Sequence, residues 1–101
     1  MKYVEALKEV GHHSGNSNWF PDEAREGKIG KDDFVGTVGR LMGALDDLLN
    51  SEDVTTSLPN DEMRKFYLST YRSAYGQLCV AKFPEDVTNV ATIVATLNSL
   101  Q

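Results

Sequence analysis

A chain of 101 residues and 11.2 kDa is the size of one ordinary domain and leaves no room for a second hydrophobic core. Its 41% hydrophobic and 25% charged residues form a folding composition, not a disordered one. The net charge of −5 repels phosphate backbones and anionic lipid heads, so direct nucleic-acid binding is disfavoured and no basic stripe offsets it.

The single cysteine, Cys79, excludes an intrachain disulfide and any zinc or iron-sulfur site built on several thiolates of this chain. Its place between Leu78 and Val80 in a helical pattern reads as a buried thiol acting as a small hydrophobe. The apolar runs are too short to span a bilayer, and Glu5 stands where a signal peptide would be apolar, so no membrane segment and a cytoplasmic location are expected.

In chain order, Tyr3, Leu7 and Val10 predict a short helix over residues 2–10 that closes at Gly11. The turn formers from Gly11 to Asn18 predict a loop, and Asp22 to Glu26 a single short helix with Pro21 at its first position. From Lys31 to Asn50 the spacing of Phe34, Val38, Leu41, Leu45 and Leu48 predicts a long helix, with Asp32 and Asp33 favourably placed at its positive end. Gly36, Gly39 and Gly43 cost that helix about 1 kcal/mol each against alanine, which predicts a compensating close approach by another helix.

After a short polar connection, a helix from Asn60 to Lys82 is predicted to turn Met63, Phe66, Tyr67, Tyr71, Ala74 and Leu78 inward. Pro84 breaks that pattern, and Val87, Val90, Ala91, Val94, Leu97 and Leu100 predict a last helix to the end of the chain. The expected fold is all-α, a single domain forming a small four- to five-helix bundle.

Three features are candidates for function. His12 and His13 are the only histidines; with Asp22, Glu23 or Glu26 they could build a metal-dependent or enzymatic site, although adjacent loop residues make a poor chelating pair. A calcium loop over Asp22 to Phe34 fails at its third position, where Ala24 offers no side-chain oxygen, and no cofactor is expected. Carboxylates cluster around the connection between the two long helices, where Asp46, Asp47, Glu52, Asp53, Asp61 and Glu62 could steer or dock a basic partner. Aromatic anchors are the third feature: Trp19 and Phe20 lie outside any strong pattern, and Tyr75 ends a stripe with Tyr67 and Tyr71.

The stretch from Cys79 to Leu97, with Pro84, Val87 and Thr88 leading into a valine-rich helix, resembles the C-terminal part of small bacterial immunity proteins that neutralise secreted cell-wall amidases. The resemblance covers about a fifth of the chain and lacks the paired cysteines usual there, so it implies a class of activity, inhibition by binding, and no residue roles. The function expected is therefore that of a noncatalytic protein-binding protein, an inhibitor, adaptor or immunity-type partner. It would act through a helix face and the acidic hairpin end. The alternatives are the histidine-centred site and a structural or assembly subunit, since three glycines on one helix would let a second copy approach and form a homo-oligomer.

Overall fold

The computed structural model describes residues 2–52 and 61–100; Asp53 and the rest of the predicted connection lie outside them. Among the described residues five helices follow in order, α1 Tyr3–Asn16, α2 Trp19–Arg25, α3 Lys31–Leu49, α4 Asp61–Cys79 and α5 Val87–Ser99. No strand occurs among the described residues, so the fold is the expected all-α bundle. Helix α3 packs against both α1 and α4, and α5 packs against α1 and α2.

One core runs through all five helices. Leu41, Leu45 and Leu48 of α3 meet Val10 of α1, Phe20 of α2, Tyr71 and Leu78 of α4, and Val90, Val94 and Leu97 of α5, all at most 1% exposed. Burying a side chain of this size contributes about 1.5–3 kcal/mol, which is why three-and-four spacing alone predicts α3, α4 and α5 to within three residues at either end.

The expected loop from Gly11 to Asn18 is helical as far as Asn16, and only Ser17 and Asn18 form the turn before α2. Its inward positions, Ser14 and Ser17, continue the stripe of Tyr3, Ala6 and Val10, and both serines are fully buried. The Ser14 hydroxyl donates to the Gly11 carbonyl at 3.3 Å, so a residue favoured in turns satisfies itself inside a helix. The small side chains supply the inward face that apolar counting overlooked. Helix α2 likewise starts at Trp19, with Pro21 in its third place, where the missing N–H would have had no intrahelical partner.

The inward stripe of α4 also differs in one turn. Leu68, Tyr71, Ala74 and Leu78 are buried, whereas Phe66 is 58% exposed. Cys79, expected inside, is exposed at the last position of α4. The glycines of α3 are not a helix-crossing point: a Cβ on Gly39 or Gly43 would meet nothing within 4 Å, and one on Gly36 would meet only the Arg40 guanidinium of the same helix, at 3.2 Å.

The turn from α4 to α5 is closed by Asp86, whose carboxylate accepts the Lys82 backbone N–H at 2.8 Å. It contains a cis Phe83–Pro84 bond, and the Phe83 ring packs on Phe34 of α3 with centroids 5.6 Å apart. At the opposite end of α5, Asn98 donates to the Asn18 side chain at 2.9 Å and ties α5 to the junction between α1 and α2.

Candidate functional site

Helices α1, α4 and α5 meet around a groove of about 220 Å³ lined by Tyr3, Leu7, Met63, Tyr67, Tyr71 and Leu100. Its position follows from three helical patterns: Tyr3 and Leu7 lie one turn apart on α1, as do Met63, Tyr67 and Tyr71 on α4, and Leu100 caps α5. The Tyr67 and Tyr71 rings are nearly parallel at 6.4 Å, and Phe66 meets Tyr67 edge-on at 5.4 Å. This arrangement puts an exposed aromatic ring next to an aromatic-walled depression.

The electrostatics of the groove are those of a low-dielectric site. Burial pushes the Tyr71 phenol up to about 12, with Tyr3 and Tyr67 adding to it, and burial followed by Tyr67 also raises Tyr3. Both phenols stay neutral hydrogen-bonding groups at physiological pH, suited to apolar contact with a polar tip.

The acidic residues are spread along the molecule. Glu52 is paired with Lys2 at 3.1 Å, next in sequence to the groove residue Tyr3, and Glu62 is exposed beside Met63. Asp46 and Asp47 are exposed near the end of α3, and Asp46 accepts the Asn50 amide at 3.0 Å. Asp46 lies close enough to Tyr75 to help raise its phenol, after the larger effect of the neighbouring Cys79 thiol. Thirteen residues of α4 separate Glu62 from Tyr75, about 20 Å of helix axis. Asp61 is the first residue of α4.

Of the expected aromatic anchors, Phe20 is excluded by the structure: it is fully buried in the core, where α2 packs on α5. Trp19 is half-buried against Phe20 at 5.8 Å, and Tyr75 is half-buried on the side of α4. The exposed ring is Phe66, which periodicity alone could not identify because it neighbours the truly inward Tyr67. A signal was present: Phe66 and Tyr67 are adjacent, and adjacent helical residues point about 100° apart, so both cannot face the core squarely.

The two histidines stand on α1, His12 exposed and His13 half-buried, with ring centroids 5.4 Å apart. The His12 Nε2 is 3.1 Å from the Asn16 amide one turn on, and His13 lies in the last turn of α1. Among the described residues, no group of three or more His, Cys, Asp or Glu is placed to hold a metal ion. None of the described helices is long and apolar enough to cross a membrane. Comparison with protein-family models, with curated proteins and with solved structures finds no match to this chain.

Proposed function

We propose that this protein is a noncatalytic binding protein that receives an apolar anchor of another protein at the groove between α1 and α4. The observation that carries the reading is Phe66, 58% exposed on a well-formed helix and set beside that groove, with Met63 also 38% exposed. Aromatic residues and methionine are enriched in the centres of protein interfaces, where they supply large apolar area at a small cost in side-chain entropy. Glu62 adjoins the groove residue Met63 in sequence and Asp46 and Asp47 are exposed on α3, a negative field that speeds encounter with a basic partner, while the Glu52 carboxylate is paired with Lys2. A cytoplasmic location and an inhibitor or adaptor role belong to the same proposal. No particular observation favours chemistry at His12 and His13.

The test compares proteins captured from the native host by the unaltered chain and by a Phe66→Ala variant. A stoichiometric partner retained by the first and lost by the second is the expected outcome. A partner held equally by both, or no partner at all, refutes the proposal. Thermal melts with zinc, calcium or EDTA add an independent check, since a metal-dependent rise in Tm would move the function to another site.

A further inference from the structure

We infer that this chain pairs with a second copy of itself through α5, about a two-fold axis that crosses the exposed face of that helix. This inference is independent of the Phe66 groove. It starts from the distribution of charge. All ten Lys and Arg, all fifteen Asp and Glu, and both histidines precede Val87, so α5 has no ionisable side chain. Yet α5 is not an interior helix: Thr88, Asn89, Thr92, Ala95, Thr96 and Ser99 are exposed.

The surroundings of α5 continue that neutrality and give it shape. On one side a groove of about 320 Å³ separates it from α4 and is walled there by Ser69, Thr70, Ser73, Ala74 and Gln77. On the other side a groove of about 270 Å³ separates it from α2, with Thr92 lining both. The one charged side chain along these two grooves, Arg25, is paired with Asp22. A ridge with a groove alongside is complementary to itself when turned through a half rotation, because each ridge meets the other copy's groove.

Symmetry then selects the occupant. At a two-fold axis each residue meets its own duplicate, so a charged residue there confronts a like charge, whereas a hydroxyl or amide is both donor and acceptor and can bond to its twin. The exposed residues near the middle of α5 are Thr92, Ala95 and Thr96, and Ser69, Ser73 and Gln77 stand across its α4 groove; the Thr92 hydroxyl donates to the Thr88 carbonyl of its own helix at 3.1 Å, so what these residues bring to the axis is the absence of like charge. Two copies each carrying −5 repel through most of their surfaces, and none of the residues lining these two grooves is a carboxylate, the nearby Asp22 being paired with Arg25. The short side chains also allow the backbones to come near one another.

The size of the face sets the strength. Thirteen residues make α5 about 20 Å long, and the helix with half of each groove is about as wide, which gives roughly 400–500 Å² per copy. That is below the roughly 800 Å² per partner of a stable complex, so the dimer is weak and reversible.

Sedimentation equilibrium of the full chain from about 10 μM to 1 mM tests this, the range in which an interface of such area dissociates. The expected result is a mass rising from 11.2 kDa toward twice that value, and rising further at high salt as the mutual repulsion is screened. Thr92→Lys and Thr92→Glu, each alone, abolish the rise, and an equimolar mixture of the two variants restores it by pairing opposite charges across the axis. Ser73→Glu, on the α4 wall, weakens it as well, and circular dichroism verifies that each variant is folded. The inference is overturned by a constant 11.2 kDa for the unaltered chain, by Thr92 variants that associate as it does, by a mixture that fails to recover, or by a dimer that Phe66→Ala dissolves.

Discussion

Replacing Phe20 and Phe66 by alanine, one at a time, separates the core from the exposed aromatic site. A phenylalanine side chain offers roughly 200 Å² of apolar area, and 25 cal/mol per Å² puts an upper bound of about 5 kcal/mol on covering it fully, against about 1.5–3 kcal/mol for a typical buried side chain. Phe20 is 0% exposed, so its loss combines that transfer energy with a cavity that partly collapses, and about 3–5 kcal/mol is expected. Phe66 is 58% exposed, leaving about 85 Å² covered and about 2 kcal/mol at stake. Alanine's better helix propensity returns about 0.5 kcal/mol, for a net loss near 1.5. The two variants therefore differ by about 1.5–3.5 kcal/mol, or about 6–28 °C in Tm for a domain of this size. Urea and thermal unfolding followed by circular dichroism measure both, with an unchanged urea slope confirming comparable unfolding. Equal losses, or a larger loss for Phe66, would show that Phe66 is a structural residue and remove the basis for placing a partner there.

Two further perturbations read the remaining structure. Gly39→Ala and Gly43→Ala each stabilise the protein by about 0.5–1 kcal/mol, because a Cβ at either position enters open space while the unfolded chain loses freedom; Gly27→Ala, at φ +70°, acts in the opposite direction, and chemical denaturation measures all three. The Tyr71 phenol is raised from 10 in the unfolded chain to about 12 in the fold, so its contribution is present below pH 10 and lost as pH rises from 10 to 12. Allowing for the opening of the groove, that loss is about 1–2 kcal/mol, and Tyr71→Phe should flatten the fall in stability across this window in denaturant titrations.

The long helices were legible because apolar spacing reports burial directly, as Leu41, Leu45 and Leu48 show in α3. The helical continuation from Gly11 to Asn16 was not, because intrinsic preference and packing disagree there. Glycine, serine and asparagine disfavour a helix interior, but Ser14 and Ser17 are small enough to lie fully buried between α1 and its neighbours. Ser17 carries a cost for that placement, since its hydroxyl is buried without a hydrogen-bond partner. Phe20 and Phe66 exchanged roles for a related reason. Each adjoins another aromatic, so composition marked the pair, Trp19-Phe20 or Phe66-Tyr67, but only the three-dimensional path of α2 and α4 decides which ring is inside.

The distribution of carboxylates determines what the acidic side can contribute to recognition. Glu62 and Tyr75, beside which Asp46 of α3 lies, are about 20 Å apart along α4, roughly twice the distance over which physiological salt screens exposed charges. Asp46 and Glu62 therefore act as separate weak fields and not as a single anionic cradle, and each exposed pairing with a partner's lysine or arginine contributes about 1 kcal/mol or less. Covering the exposed part of Phe66, about 115 Å², contributes at most about 3 kcal/mol before the ordering costs of association are subtracted, still more than any one exposed ion pair. Rim charge governs the rate of encounter, whereas desolvated aromatic area governs how long a complex lasts. Neutralising Asp46 and Asp47 together should accordingly slow association and reduce its salt dependence, with dissociation unchanged, while Phe66→Ala should hasten dissociation at any salt concentration. Stopped-flow or surface-based kinetics with the captured partner resolve the two effects, and a dissociation rate governed by the carboxylates would reverse the roles assigned to charge and aromatic ring.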